Sequence, residues 1–166
     1  MRKYLKIVHN NQASKGSRFA NYLIDIIAIS VINLILSTAS ILLYNMTSIN
    51  FFYFYNNGGF LWEYLSGSFV ILIYYYLWES LTDGRSLGKL VTNTKVISID
   101  GEKPTRQQIL YRCLSRVVPF DAISFLGGGN GWHDNWSDTN VINIKNYEAE
   151  IQIKSEIDSL GTKEIA

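Results

Sequence analysis

A charged side chain inside apolar sequence is the first place to look for chemistry, because an unpaired charge there is costly and persists only with a partner or a task. Asp25 is the clearest case. It is the one carboxylate in FANYLIDIIAISVINLILSTASILLY, Phe19 to Tyr44. Arg18 lies seven positions earlier and Asn21 four, so on a helix all three fall within about 40° of one line. Ile32 and Leu36 continue that face, so the polar seam is not expected to cross a bilayer on this helix alone. Glu79, at i, i+4 with Asp83, ends the second apolar run. If Asp25 faced Glu79, the two would hold a proton between them, as a proton or cation carrier requires. The alternative is that Asp25 pairs with Arg18, Arg112 or Arg116 and staples the helices together.

His133, Asp134 and Asp138 form a second group, flanked by Trp132 and Trp136 in a Gly- and Asn-rich segment. A metal site would need a third or fourth ligand, and His9, the other histidine, has no spacing relation to them. The expectation is therefore no metal and no cofactor, with Asp134 taking hydrogen bonds from its loop or pairing with Arg85, Lys89 or Arg112. Enzymatic readings lack support: there is no G-x-S-x-G and no paired nucleophile and base. SLGK at 86–89 lacks P-loop spacing, and no strand precedes GGGNG at 127–131.

The elements that must position these groups follow from the charge map. The 166 residues are 48% hydrophobic, with 15 basic and 14 acidic side chains and a net charge of +1. Residues 26–62 and 64–78 carry no charge, and every Lys and Arg lies outside 26–78. That is the pattern of a membrane protein. One cysteine, Cys113, excludes a disulfide framework, near-neutral charge argues against nucleic acid, and 14% aromatic residues exclude a disordered chain.

Two spans are predicted, at about 19–44 and 61–82; the first reaches ~39 Å against a ~30 Å hydrocarbon core. A cleaved signal peptide is disfavoured because apolar sequence continues past Ser37, Thr38, Ala39 and Ser40. Trp62 and Tyr64 at one end of the second span, and Tyr75, Tyr76 and Trp78 at the other, fit aromatic belts. Arg2, Lys3, Lys6, Lys15 and Arg18 before the first span, and seven bases over 85–116 after the second, orient the N-terminus to the cytoplasm and the uncharged loop 45–60 outward. Those bases would lie against an anionic leaflet.

A third apolar helix, about 107–127, contains Arg112, Arg116, Pro119 and Asp121. Its apolar core of about ten residues covers half a bilayer, so it is expected to lie in the interface or to dip and return. Arg112 and Arg116 share one face, as an interfacial helix requires. Thr94–Asp100 and Thr139–Lys145 alternate β-branched and polar residues, as two separate exposed strands or, in the sharper reading, as a pair in one small cytoplasmic sheet. The fold class is thus all-α integral membrane: two transmembrane helices, a short interfacial or re-entrant third helix and a small cytoplasmic β element. Residues 1–145 form the membrane domain and 146–166 a polar tail, either solvated or loosely helical.

Arg18-x-x-Asn21-x-x-x-Asp25 opening the first span, SLGK at 86–89, DGEKP at 100–104 and WHDNWSDT at 132–139 resemble, in order and spacing, the RDD family of small bacterial membrane proteins. By motif match, the arginine and two aspartates of that name would be Arg18, Asp25 and Asp134. The resemblance covers about 15–144. It implies a multi-spanning inner-membrane protein, with transport often suggested and ion exchange proposed for some members, and it does not imply a catalytic mechanism. Because two helices cannot enclose a pore, a transport role would require a homo-oligomer or a partner membrane protein. The competing class is a non-transporting scaffold or accessory protein whose Arg and Asp residues only lock the fold.

Overall fold

A computed structural model describes residues 5–118, 121–124 and 130–163. Arg2, Lys3, Pro119 and Gly127 to Gly129, used in the sequence reading, lie outside them.

The first long apolar run forms α2 (Lys15–Thr47), after a short α1 (Lys6–Asn10). Ser14 caps α2 by accepting the Ser17 N–H, and beyond Gly16 no glycine or proline interrupts it. It extends beyond 19–44 at both ends and stops where Ser48 adopts a left-handed conformation (φ 57°). After a 3-10 turn at Asn50–Tyr53 comes α3 (Phe60–Leu81). Both helices are long and apolar enough to cross a membrane. Large apolar side chains line their outer faces, as lipid-facing surfaces require, among them Ile27, Leu34, Ile35, Leu65 and Phe69.

The connection between them does more than lie at an interface. Its residues fold back along α2: Tyr55 bonds Asn33, Asn56 bonds Ser37, and Ser40 donates to the Phe52 carbonyl at 2.5 Å.

The remaining elements dock from the other end of the pair. They are α4 (Leu87–Val91), β1 (Thr94–Ser98), α5 (Arg106–Val117), α6 (Asp121–Ser124), α7 (Trp132–Trp136), β2 (Thr139–Asn143) and α8 (Ile144–Lys163). Of these, α5 runs along α3 as far as Tyr64, whose hydroxyl donates to the Val117 carbonyl at 2.9 Å. β1 and β2 pair antiparallel, Thr94 opposite Asn143 through Ser98 opposite Thr139, as the alternating sequences predict. Gln12 bridges to Ile142, and the Ala13 N–H donates to the Val141 carbonyl. This pairing holds both flanks of the third apolar stretch at one end of the long helices.

That stretch is not one helix over 107–127. It breaks into α5, whose 12 residues amount to ~18 Å, and the single turn of α6. Thr105 and Gln108 close a capping box at the start of α5. Its arginines also differ from expectation: Arg112 is fully buried and Arg116 largely so, facing the protein rather than headgroups. The reason is that α5 packs on both α3 and α7, and each presents a buried carboxylate to it. The residues expected as a tail begin as α8, whose Tyr147 is buried in a small core with Val8, Ile97 and Ile142.

Candidate functional site: a buried charge network

Asp25 does not face Glu79, and no ion pair joins it to Arg18, Arg112 or Arg116. Its carboxylate accepts three donors: the Tyr74 hydroxyl at 2.7 Å, the Ser86 hydroxyl at 2.6 Å and the Gly88 N–H at 2.9 Å. Ser86 is at the same time the N-cap of α4. Asp25 therefore fastens α4 to α2 and α3. The fit is close, since a Cβ on Gly88 would stand 2.3 Å from the Asn21 carbonyl oxygen. Asn21 completes the seam, its amide within hydrogen-bonding distance of the Thr92 and Thr94 hydroxyls. SLGK thus has a structural meaning: Ser86 caps and bonds, Gly88 permits backbone contact, and Lys89 reaches the next carboxylate.

That carboxylate is Glu79, fully buried, with Lys89 Nζ at 2.6 Å, Arg112 Nε at 3.3 Å and Arg116 Nη2 at 3.6 Å. The Arg116 guanidinium also stacks on Tyr75, 3.9 Å from its ring centre. Burial pulls the Lys89 ammonium below its usual range, with Glu79 pulling it back.

Arg112 continues to Asp134 and the Thr139 hydroxyl. Asp134 takes Arg18 Nη1 on its other oxygen at 2.5 Å, and Arg18 Nη2 reaches Asn140 Oδ1 at 2.6 Å. Of the partners expected for Asp134, Arg112 is therefore the one present, joined by Arg18. Burial alone would raise the Asp134 carboxyl; His133, Arg112 and Arg18 more than reverse this and hold it well below the carboxylate range.

His133 turns elsewhere, its Nδ1 lying 2.8 Å from Asp121, which also takes its backbone N–H. Burial holds the imidazole below its ordinary value, favouring the neutral ring. Asp121 is kept below the carboxylate range against the pull of burial, chiefly by its bond to His133. No group of three possible metal ligands occurs among the described residues. Burial pushes the Cys113 thiol up to about 12, which removes it as a nucleophile.

Arg18, Asp134, Arg112, Glu79 and Lys89 thus alternate in sign across α2, α7, α5, α3 and α4. Buried pairs recover little beyond their desolvation cost, but losing one member strands a charge, so such a network fixes one arrangement of elements. Beside it lies a cavity of about 40 Å³ lined by Arg18, Asn21, Asp25, Lys89, Arg116 and His133. It has room for about three waters.

One feature of α2 escapes a straight-line reading. Ile32 and Leu36 do continue the Asp25 line, and they face an apolar groove against α3. The inward polar residues follow steps of four instead, winding about 40° per step: Asn21, Asp25, then Asn33 and Ser37, with Ser40 closing the line. Ile29 interrupts the series, packed with Val70.

Sequence reasoning named Arg18, Asn21, Asp25, Glu79, Arg112, Arg116, His133 and Asp134, and all eight come together at this end of the molecule. It did not name Tyr74, Ser86, Gly88, Asp121, Thr139 or Asn140 as partners. SLGK carried a readable signal, a Ser in capping position before a glycine. Asp121 registered only as an obstacle to crossing.

The RDD family profile matches residues 12–138, most of the chain, including every charged residue of the network and stopping just before Thr139 and Asn140. No curated protein and no solved structure matches it. The chain belongs to the RDD family, and with its two candidate spans it is a membrane protein of that family.

Proposed function

We propose that this RDD-family membrane protein works in transport, as one subunit of a self-associated assembly whose ion or small-solute path opens at the cavity beside Asp25. The observation that carries the reading is the polar line of α2. Asn21, Asp25, Asn33, Ser37 and Ser40 recur through the full depth of an otherwise apolar helix, broken by the Ile29 and Val70 contact. A helix that only anchors a protein needs no polar group at mid-depth, although here Asn33, Ser37 and Ser40 also fasten the loop after α2. Ile29 is then the constriction between an inner and an outer polar segment. The charge network sits in the cytoplasm at the inner membrane of a bacterium, an orientation supported by the Lys and Arg counts. In this role the chain performs no covalent chemistry.

The second reading, a scaffold or accessory protein, is favoured by a specific fact: the Asp25, Glu79 and Asp134 carboxylates are all satisfied within the chain. Reconstitution decides between them. Purified protein in vesicles is assayed for proton, sodium and potassium flux, with oligomer mass measured in parallel. Transport predicts flux that Asp25→Asn abolishes while the protein stays folded; a wild-type protein silent for every ion, or strictly monomeric, supports the scaffold.

A further inference from the structure

Where α3 ends, the chain reverses sharply. Asp83 (φ 55°) and Gly84 (φ 86°) both take left-handed conformations, and the Val96 N–H donates to the Gly84 carbonyl. A side chain at Gly84 would meet the Val96 carbonyl at 2.7 Å, so the turn is pressed directly onto β1. This leaves a cavity of about 80 Å³ whose charged lining is Arg85, Lys95, Lys103 and Asp83.

Three cations here meet one carboxylate. Lys103 pairs with Asp83 at 2.9 Å, both largely exposed, so that pair opens at little cost. Arg85 and Lys95 have no ion-pair partner among the described residues. The Arg85 Nε is buried and has no hydrogen-bond partner there either. A guanidinium N–H withdrawn from water without an acceptor is unfavourable, and the group that best satisfies it beside a lysine is an oxyanion. At about 80 Å³ the cavity has room for a phosphate group and is too small for a nucleotide.

Depth identifies the source. The turn begins immediately after Leu81, the last residue of the second candidate span, which is 80% exposed. A cavity this near the hydrocarbon edge opens at headgroup level, where the available phosphates belong to lipids. We propose that Arg85, Lys95 and Lys103 form a binding site for the phosphate of an anionic phospholipid headgroup. The site is separate from the Asp25 cavity and does not depend on the transport reading.

The test uses purified protein in neutral detergent, with lipid binding followed by native mass spectrometry and by thermal melting. Phosphatidylglycerol, phosphatidylcholine and inorganic phosphate are titrated separately. Phosphatidylglycerol should bind saturably, one per chain, and raise the melting temperature, while phosphatidylcholine does neither. Arg85→Gln with Lys95→Gln should weaken phosphatidylglycerol at least about tenfold, whereas Lys154→Gln, on α8, leaves it unchanged. Lys95→Gln alone guards against loss of fold, and should weaken binding with lipid-free melting intact. Three outcomes would overturn the proposal: equal binding of the two lipids, unchanged affinity in both variants, or inorganic phosphate binding more tightly than the lipid.

Discussion

The two ends of this molecule are held together by different physics. In the spanning part, α2 and α3 touch each other sparsely and expose apolar side chains along most of their length, leaving grooves lined by residues such as Leu36, Phe69 and Val70. The polar end packs five helices and a two-stranded sheet around charges that water barely reaches. Lipid substitutes for a core in the first region, so almost any apolar side chain serves there. In the second, each charge needs one particular partner, so the lesson is that position-specific information is concentrated where the chain leaves the membrane.

The sharpest way to break that contrast is at Arg112, the residue that bridges Glu79 and Asp134. Arg112→Met should leave Glu79 with Lys89 and Arg116, and Asp134 with Arg18, so that the link between the two carboxylates is lost at a cost of about 3 kcal/mol, read by thermal melting in detergent. Asp134→Asn should then cost less in the Arg112→Met background than in wild type, since one of the two arginine partners of Asp134 is already gone. Unchanged melting in the single variant would mean that the network does not hold this end together.

Backbone contact comes next. Gly88→Ala places a methyl group against the Asn21 carbonyl, and α4 must move off α2, at a cost of about 1–3 kcal/mol in the same assay. Asp25 then loses its bond to the Gly88 N–H, so Asp25→Asn should cost less in the Gly88→Ala background than in wild type.

Acid should act on the polar end in two steps. His133 is held below 6.5, so the unfolded chain takes up this proton first; stability is full above about pH 6.5 and declines as pH falls through the lower folded value. Asp134 and Asp121 lie below 3.8, so their contribution is complete above about pH 3.8 and is lost only on stronger acidification. Melting followed against pH should show both declines, and His133→Asn should remove the upper one and shrink the part of the lower one that Asp121 owes to its bond with His133.

The smallest effect is expected in the membrane part. Leu34 is 67% exposed on α2, and Leu34→Val should change stability by no more than about 0.5 kcal/mol. A loss as large as that of Arg112→Met would place a protein partner, rather than lipid, against that face.

By itself the sequence determined the two spans, because uncharged apolar runs of that length have one stable environment, and the existence of β1 and β2, because alternation marks a strand, though not that both strands are buried on both faces. It also determined that Asp25 and Asp134 need partners. What it could not determine was which partners. Arg18 is seven residues from Asp25 and shares its helix face, yet it pairs with Asp134, 116 positions away. Arg112 and Arg116, spaced like an interfacial helix, turn inward because Glu79 and Asp134 converge on them. Asn33, Ser37 and Ser40 looked like tolerated polar residues until the loop after α2 folded back to meet them. Helical spacing states which residues share a face, but not what that face meets; that depends on where α4, α5 and α7 dock, and only the tertiary structure decides it.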